Sequence, residues 1–316
     1  MRRIPIIAAC LGLAVTTLAV SAPAKKAEPA SSRASATGPE GRTFKTDGVT
    51  IWYEVRGAGA GTPLVLVNGG PGFDHSYLKV SDVWDRMART RKVVFYDQRG
   101  NGKSSVLKEG QPCGLAEQIA DLEALRAHLG FEKMDLLGSS WGGYLVMAYA
   151  ARHPGRIAHL IMVDSAAPKI QDTVFLFKNI FPETTAREDG LAFAVELGDE
   201  KAIAADLKEY MGMIIVSPEL RERFIARSSS FVYRQAVNKA VWNDLQRFDL
   251  NPELPKFRFP ALVVTGRYDF NVAPSVAWAI HKAIPGSEFA VFEKSGHIPF
   301  YEEPDAFYDR LESFLR

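Results

Sequence analysis

The chain has 316 residues, 47% of them apolar and 24% charged, enough to bury a sizeable core without disulfides or metals, as one large domain or two small ones. Lys and Arg number 38 against 37 Asp and Glu, and a formal charge of +1 provides no field for gripping nucleic acid or an acidic membrane surface.

In chain order, Arg2 and Arg3 precede a mostly apolar stretch from Ile4 to Val20, and small residues follow to Ala22-Pro23-Ala24. This is a signal peptide's layout, so residues 1–24 are expected to be cleaved and the protein exported, to the periplasm or beyond the cell. Pro5, Gly12 and two threonines make the stretch a weak permanent span, so no stable membrane insertion is expected after cleavage. Ile7-Ala8-Ala9-Cys10 superficially fits a lipoprotein box, but the apolar run continues past Cys10 where a box should close it. Loss of Cys10 leaves Cys113 alone, with no intramolecular disulfide and no basic neighbour in sequence to activate it.

Residues 25–42 are Ala, Ser, Pro and Lys with little to bury, the composition of a flexible linker. Ordered structure should start near Thr43. From there the runs VTIWYEV, PLVLVNG, KVVFYDQ, MDLLGS, HLIMVDS, ALVVTG and EFAVFEK are apolar on both faces, as buried strands of a parallel sheet should be. Helical patterns over 115–129, 142–153, 275–284 and 304–314 lie between or after them, which gives an α/β fold: a mostly parallel sheet with helices on both faces. From 167 to 256 the alternation stops and only helical spacing remains. That segment reads as a helical cap inserted between two core pieces, 43–166 and 257–316, with Ser217-Pro218 starting one of its helices.

The run LLGSSWGGY at 136–144 puts two serines at a strand-to-helix turn. A serine raised on so sharp a bend has strained backbone angles, and side chains two residues to either side would clash, so glycine is needed there. Ser140 has Gly138 and Gly142 at those positions, whereas Ser139 has Leu137 and Trp141, so Ser140 is the candidate nucleophile. A hydroxyl needs a histidine to take its proton and a carboxylate to orient the histidine. Asp269, just past ALVVTG, and His297, just past EFAVFEK, follow in the order Ser, Asp, His at strand C-termini. The other histidines, at 128, 153, 159 and 281, fall on helices or a strand, and His75 is the second candidate for the base. Asp164, after HLIMVD, is an acidic rival out of the usual order. For the oxyanion, the N–H groups of Trp141 and of the NGGPG loop are candidates, with Gly70 preferred and Gly69 next.

Together these segments resemble the α/β-hydrolase superfamily, and in detail its proline iminopeptidase branch of serine peptidases. NGGPG at 68–72 is similar to that branch's H-G-G-P-G with asparagine for histidine, YDQRGNGKS at 96–104 to its D-Q-R-G-x-G-x-S, GSSWGG at 138–143 to its elbow, and GHIPFYEEP at 296–304 to the superfamily's histidine motif. The resemblance implies an α/β-hydrolase fold, a Ser-His-Asp triad of Ser140, Asp269 and His297, no metal and no organic cofactor, and a small-molecule or short-peptide substrate. In that branch acidic cap residues hold the substrate's amino terminus near W-x-x-W-E, which VWNDLQ around Trp242 does not match. Asp244, Glu183, Glu188 and Glu209 are the candidates for such a role, with a solvated helix face the preferred reading of each, and Asp97 and Arg99 are expected to shape the site's rim. The expected activity is that of an exported serine hydrolase, a proline iminopeptidase-like aminopeptidase. The alternatives are an esterase or lactonase on small acyl substrates, or a non-catalytic binding protein on the same fold.

Overall fold

The computed structural model describes residues 41–228 and 231–316. The signal peptide read at 1–24 and nearly all of the 25–42 linker lie outside the described residues. No described helix is long and apolar enough to cross a membrane.

All seven apolar runs form strands: β2 (Val49–Arg56), β3 (Gly61–Val67), β4 (Arg91–Tyr96), β5 (Met134–Ser139), β6 (Ile157–Val163), β7 (Ala261–Gly266) and β8 (Glu288–Phe292). The eighth strand, β1 (Arg42–Thr46), is not announced by an apolar run, because it is an edge strand that buries only Phe44. The sheet order is β1-β2-β4-β3-β5-β6-β7-β8. β1 and β2 pair antiparallel, as do β2 and β4, and every later pairing is parallel.

Side chains of the central strands alternate between two cores, Leu136 to one and Leu137 to the other. This is the two-residue period of a strand covered on both faces. The helices in chain order are α1 (Val83–Met87), α2 (Leu115–His128), α3 (Trp141–Arg152), α4 (Phe177–Ile180), α5 (Pro182–Glu196), α6 (Glu200–Met213), α7 (Pro218–Ser228), α8 (Gln235–Leu245), α9 (Pro274–Ala283), α10 (Pro299–Glu302) and α11 (Pro304–Phe314). α2, α3 and α9 contribute Leu122, Val146 and Ile280 to the core of Leu136; α1 and α11 contribute Trp84 and Phe307 to that of Leu137.

α4 to α8 fall between β6 and β7, with no strand among the described residues of that segment. Ser217 opens α7 as the sequence suggests, its Oγ accepting the N–H of Leu220 at 3.4 Å. The inserted helices also belong to both cores, through Tyr210, Met211 and Phe224 on one face and Val237, Val241 and Leu245 on the other. They are thus fixed above the C-terminal ends of the strands, where Ser139, Gly266 and Phe292 end β5, β7 and β8.

Candidate active site

β5 runs straight into α3, and the one residue between them, Ser140, adopts φ 58°, ψ −121°. Such a conformation in a non-glycine residue costs about 1–3 kcal/mol and persists only where the surroundings enforce it. They do so by crowding: a Cβ on Gly138 would collide with the carbonyl oxygen of Gly142, and one on Gly142 with that of Val67. Ser140 N–H donates to Val163 O at 2.9 Å, tying the bend to β6. The residue is 8% exposed and lines a cavity, partly open to solvent, with Gly70, Phe73 and Tyr77.

His297 lines the same cavity. Its Nδ1 lies 2.8 Å from Asp269 Oδ2, and because a carboxylate only accepts, Nδ1 carries the proton and Nε2 the lone pair. Asp269 is fully buried and also accepts the N–H groups of Asn271 and Val272 on Oδ1, each at 2.9 Å. Three donors fix this carboxylate as the imidazole's partner. Asp164 lies close by, its Oδ1 accepting Gly266 N–H at 2.9 Å; burial first, then the Asp269 charge, holds its carboxyl well above the ordinary range. The structure sets Ser140 and His297 on one cavity and bonds His297 to Asp269, while Asp164 offers an oxygen within 4.8 Å of both His297 and Asp269.

The loop carrying His297 is clamped from two sides. His297 N–H donates to Ile214 O at 2.9 Å, and Glu302 accepts the N–H groups of Gly296 at 2.6 Å, Val216 at 2.7 Å and Ser217 at 3.3 Å. Burial pushes the Glu302 carboxyl up to about 6. One acidic side chain thus joins the histidine loop to the α6–α7 connection.

The two glycines of the NGGPG loop differ. Gly69 N–H is committed to Tyr77 Oη at 2.5 Å. Gly70 has φ 46°, lines the cavity, and its N–H bonds no described residue. Trp141 N–H, at the first turn of α3, has no intrahelical acceptor. The loop itself is held by the insert: Arg234 N–H donates to Gly72 O at 2.8 Å, and Asn238 Nδ2 to Pro71 O at 2.8 Å.

The D-Q-R-G residues serve the frame. Gln98 Nε2 donates to Asn68 O at 2.9 Å and Gln98 Oε1 accepts from Trp141 Nε1 at 3.0 Å, while buried Arg99 makes a two-pronged bond to Asp121 at 2.6 and 2.8 Å. Asp97 accepts His75 Nδ1 at 2.7 Å, and His75 stacks on Trp52 at 4.2 Å between centroids, away from the cavity. Two clusters of described residues have the donor atoms a metal needs, Asp74 with His75 and Asp97, and Asp164 with Asp269 and His297. In each, the histidine's Nδ1 is bonded to an aspartate of the cluster.

The four acidic residues of the insert singled out above do not share one environment. Glu183 is exposed and Glu209 pairs with Arg187 at 2.9 Å. Asp244 Oδ2 instead accepts Leu115 N–H at 2.8 Å, capping α2. Glu188 departs furthest from a solvated face: it is 5% exposed, with neither oxygen bonded. Burial first, then the Asp206, Glu209 and Asp189 charges, pushes it up to about 8, and burial then Glu209 pushes Asp206 up to about 7. Sequence spacing in α5 does not show which of its faces is covered.

Reasoning from sequence overlooks Asn271, Tyr210, Asn238 and Glu302. Glu302 sits in the GHIPFYEEP segment and Asn271 two residues after Asp269, so local signals existed for both. Tyr210 and Asn238 lie in the insert, where no pattern singles them out.

Residues 62–304 match the alpha/beta hydrolase fold family. A proline iminopeptidase of Saccharolobus solfataricus is 30% identical over 281 residues, covering 85% of this chain and 89% of the relative; one of Clostridium botulinum is 30% identical, covering 84% and 94%. Among solved structures, the esterase RhEst1 from Rhodococcus sp. ECU1013 has a TM-score of 0.70 at 25% identity, covering 87% of this chain and 98% of that one. An alpha/beta fold family hydrolase from Bacillus anthracis str. Sterne reaches 0.72 at 21%, covering 87% and 99%. With its family match spanning most of the sequence, and with the sheet and elbow described above, the chain belongs to the alpha/beta hydrolase fold family.

Proposed function

We propose that this chain is an exported serine hydrolase that cleaves an acyl bond through Ser140, His297 and Asp269, and that its preferred substrates are short peptides or amides with a small N-terminal residue such as proline. The observation that carries the reading is the strained Ser140, facing one cavity with a histidine whose Nδ1 is bonded to a buried carboxylate. In this reading Ser140 Oγ attacks the acyl carbon and its proton passes to His297 Nε2; the imidazolium, held by Asp269, gives that proton to the leaving amine or alkoxide. The N–H groups of Gly70 and Trp141 receive the oxyanion; Gly69, bonded to Tyr77, is unavailable. Water then releases the acyl group by the same steps. Export is supported by the layout of residues 1–24.

The aminopeptidase reading is supported by the relatives' activity and by Glu188. A buried carboxyl with both oxygens unbonded is costly, and a substrate ammonium would ionise and satisfy it. The second reading, an esterase or lactonase, is favoured by the cavity lining: besides Ser140, His297 and Gly70 it is aromatic and aliphatic, with no acid. Kinetics on proline anilide and short acyl esters separate the two. Anilide release by the wild type that is lost in Ser140→Ala is the expected result; ester turnover with no release from any aminoacyl anilide would end the peptidase reading. Wild-type protein that resists fluorophosphonate labelling would instead favour the non-catalytic binding protein.

A further inference from the structure

The lone pair of His297 that must take the serine's proton is already occupied. Asn271 Nδ2 lies 3.0 Å from His297 Nε2, and with Nδ1–H directed at Asp269, that contact is an amide N–H donating to the bare nitrogen. No hydrogen bond among the described residues joins Ser140 Oγ to His297. The second proton of the same amide goes to Tyr210 Oη at 3.1 Å. Tyr210 belongs to α6 of the insert, is buried, and lines the cavity. Asn271 is itself 2% exposed, and its backbone N–H holds Asp269 Oδ1 at 2.9 Å. One residue therefore touches the acid, the base and the insert.

We propose that Asn271 is a positioning residue that couples the insert to the catalytic base: its amide, anchored by Tyr210, holds Nε2 of His297 and yields it to Ser140 when a substrate displaces the Tyr210 side of the cavity. This rests on the triad reading above. An amide suits the role, because a carboxamide donates a hydrogen bond of ordinary strength and carries no charge that would oppose the imidazolium forming later. Asparagine also keeps its backbone bond to Asp269 whatever its side chain does, so release of the amide leaves the acid in place.

The experiment measures second-order labelling of the full chain by a small fluorophosphonate, together with kcat and KM on the best substrate. In Asn271→Ala the backbone N–H to Asp269 survives and the competing donor is gone, so labelling should be faster than wild type by about three- to ten-fold, the range expected when one neutral hydrogen bond is removed from the resting state. Tyr210→Phe frees the amide from its anchor while leaving Asn271 in place, and should speed labelling by a smaller factor. A residue that only supports the fold would slow labelling when removed. Labelling of Asn271→Ala at or below the wild-type rate, with Tyr210→Phe likewise no faster, overturns the proposal. Should Asn271→Ala fail to fold, Tyr210→Phe decides alone. Wild-type labelling that survives Ser140→Ala would refute the triad reading instead, so the two failures are distinguishable.

Discussion

Replacing Glu188 by glutamine should stabilise the protein at alkaline pH and leave it unchanged at acid pH. An unfolded glutamate titrates near 4.5, whereas the folded Glu188 titrates at about 8. Between these values the folded state binds a proton that the unfolded chain has released, so stability falls as pH rises through this interval. At about 1.4 kcal/mol per pH unit, the charged side chain costs about 5 kcal/mol once pH exceeds both values, and local rotation and water entry reduce this to about 2–4 kcal/mol. Glutamine keeps the shape and carries no charge. Thermal unfolding followed by circular dichroism at pH 5 and pH 8.5 tests the prediction: the variant's midpoint should lie within about 2 °C of the wild type at pH 5 and exceed it by about 4–8 °C at pH 8.5. Asp206, raised to about 7, should leave the variant a weaker pH dependence of the same sign. A Glu188→Gln midpoint offset from wild type by the same amount at both pH values would refute the reasoning. If Glu188 also receives a substrate's ammonium group, the gain in stability should accompany a loss of aminoacyl anilide turnover, a trade of activity for stability.

Two further substitutions test how the insert supports the site. Asn238→Ala removes the amide that holds Pro71 O, so the Gly70 N–H should drift from the oxyanion and kcat fall about ten-fold with KM within about three-fold; an unchanged kcat would show that the loop holds itself. Glu302→Ala frees Gly296 N–H beside the histidine and also the N–H groups of Val216 and Ser217, and kcat should fall about 10- to 100-fold from misplacement of the base, read by steady-state kinetics on protein whose circular dichroism is native.

The core strands and the candidate site residues were legible in the sequence for local reasons. A central strand buried on both faces must be apolar throughout, which makes the inner strands legible; of the two edge strands, β8 still carries the half-buried run EFAVF, whereas β1 holds one apolar side chain, Phe44, and leaves no such trace. The elbow is legible because its glycines are demanded by neighbours two residues away, and the order Ser140, Asp269, His297 follows the strands that carry them. Which glycine of the NGGPG loop has a free N–H was not local: Tyr77, eight residues on, takes that of Gly69.

The tertiary structure alone decided the insert's part. Its helices have clear periodicity, but a helix face carries no label for what covers it. Glu183 and Glu188, five residues apart on α5, end in solvent and in the interior, and Asp244 caps a helix of the core 129 residues earlier. The contact of Asn271 with both His297 and Tyr210 joins three segments distant in sequence, and only folding brings them within hydrogen-bond reach. Sequence determined the chemistry that the chain carries because strands and tight turns write their constraints on neighbouring residues; packing determined how that chemistry is held, because its constraints come from residues far along the chain.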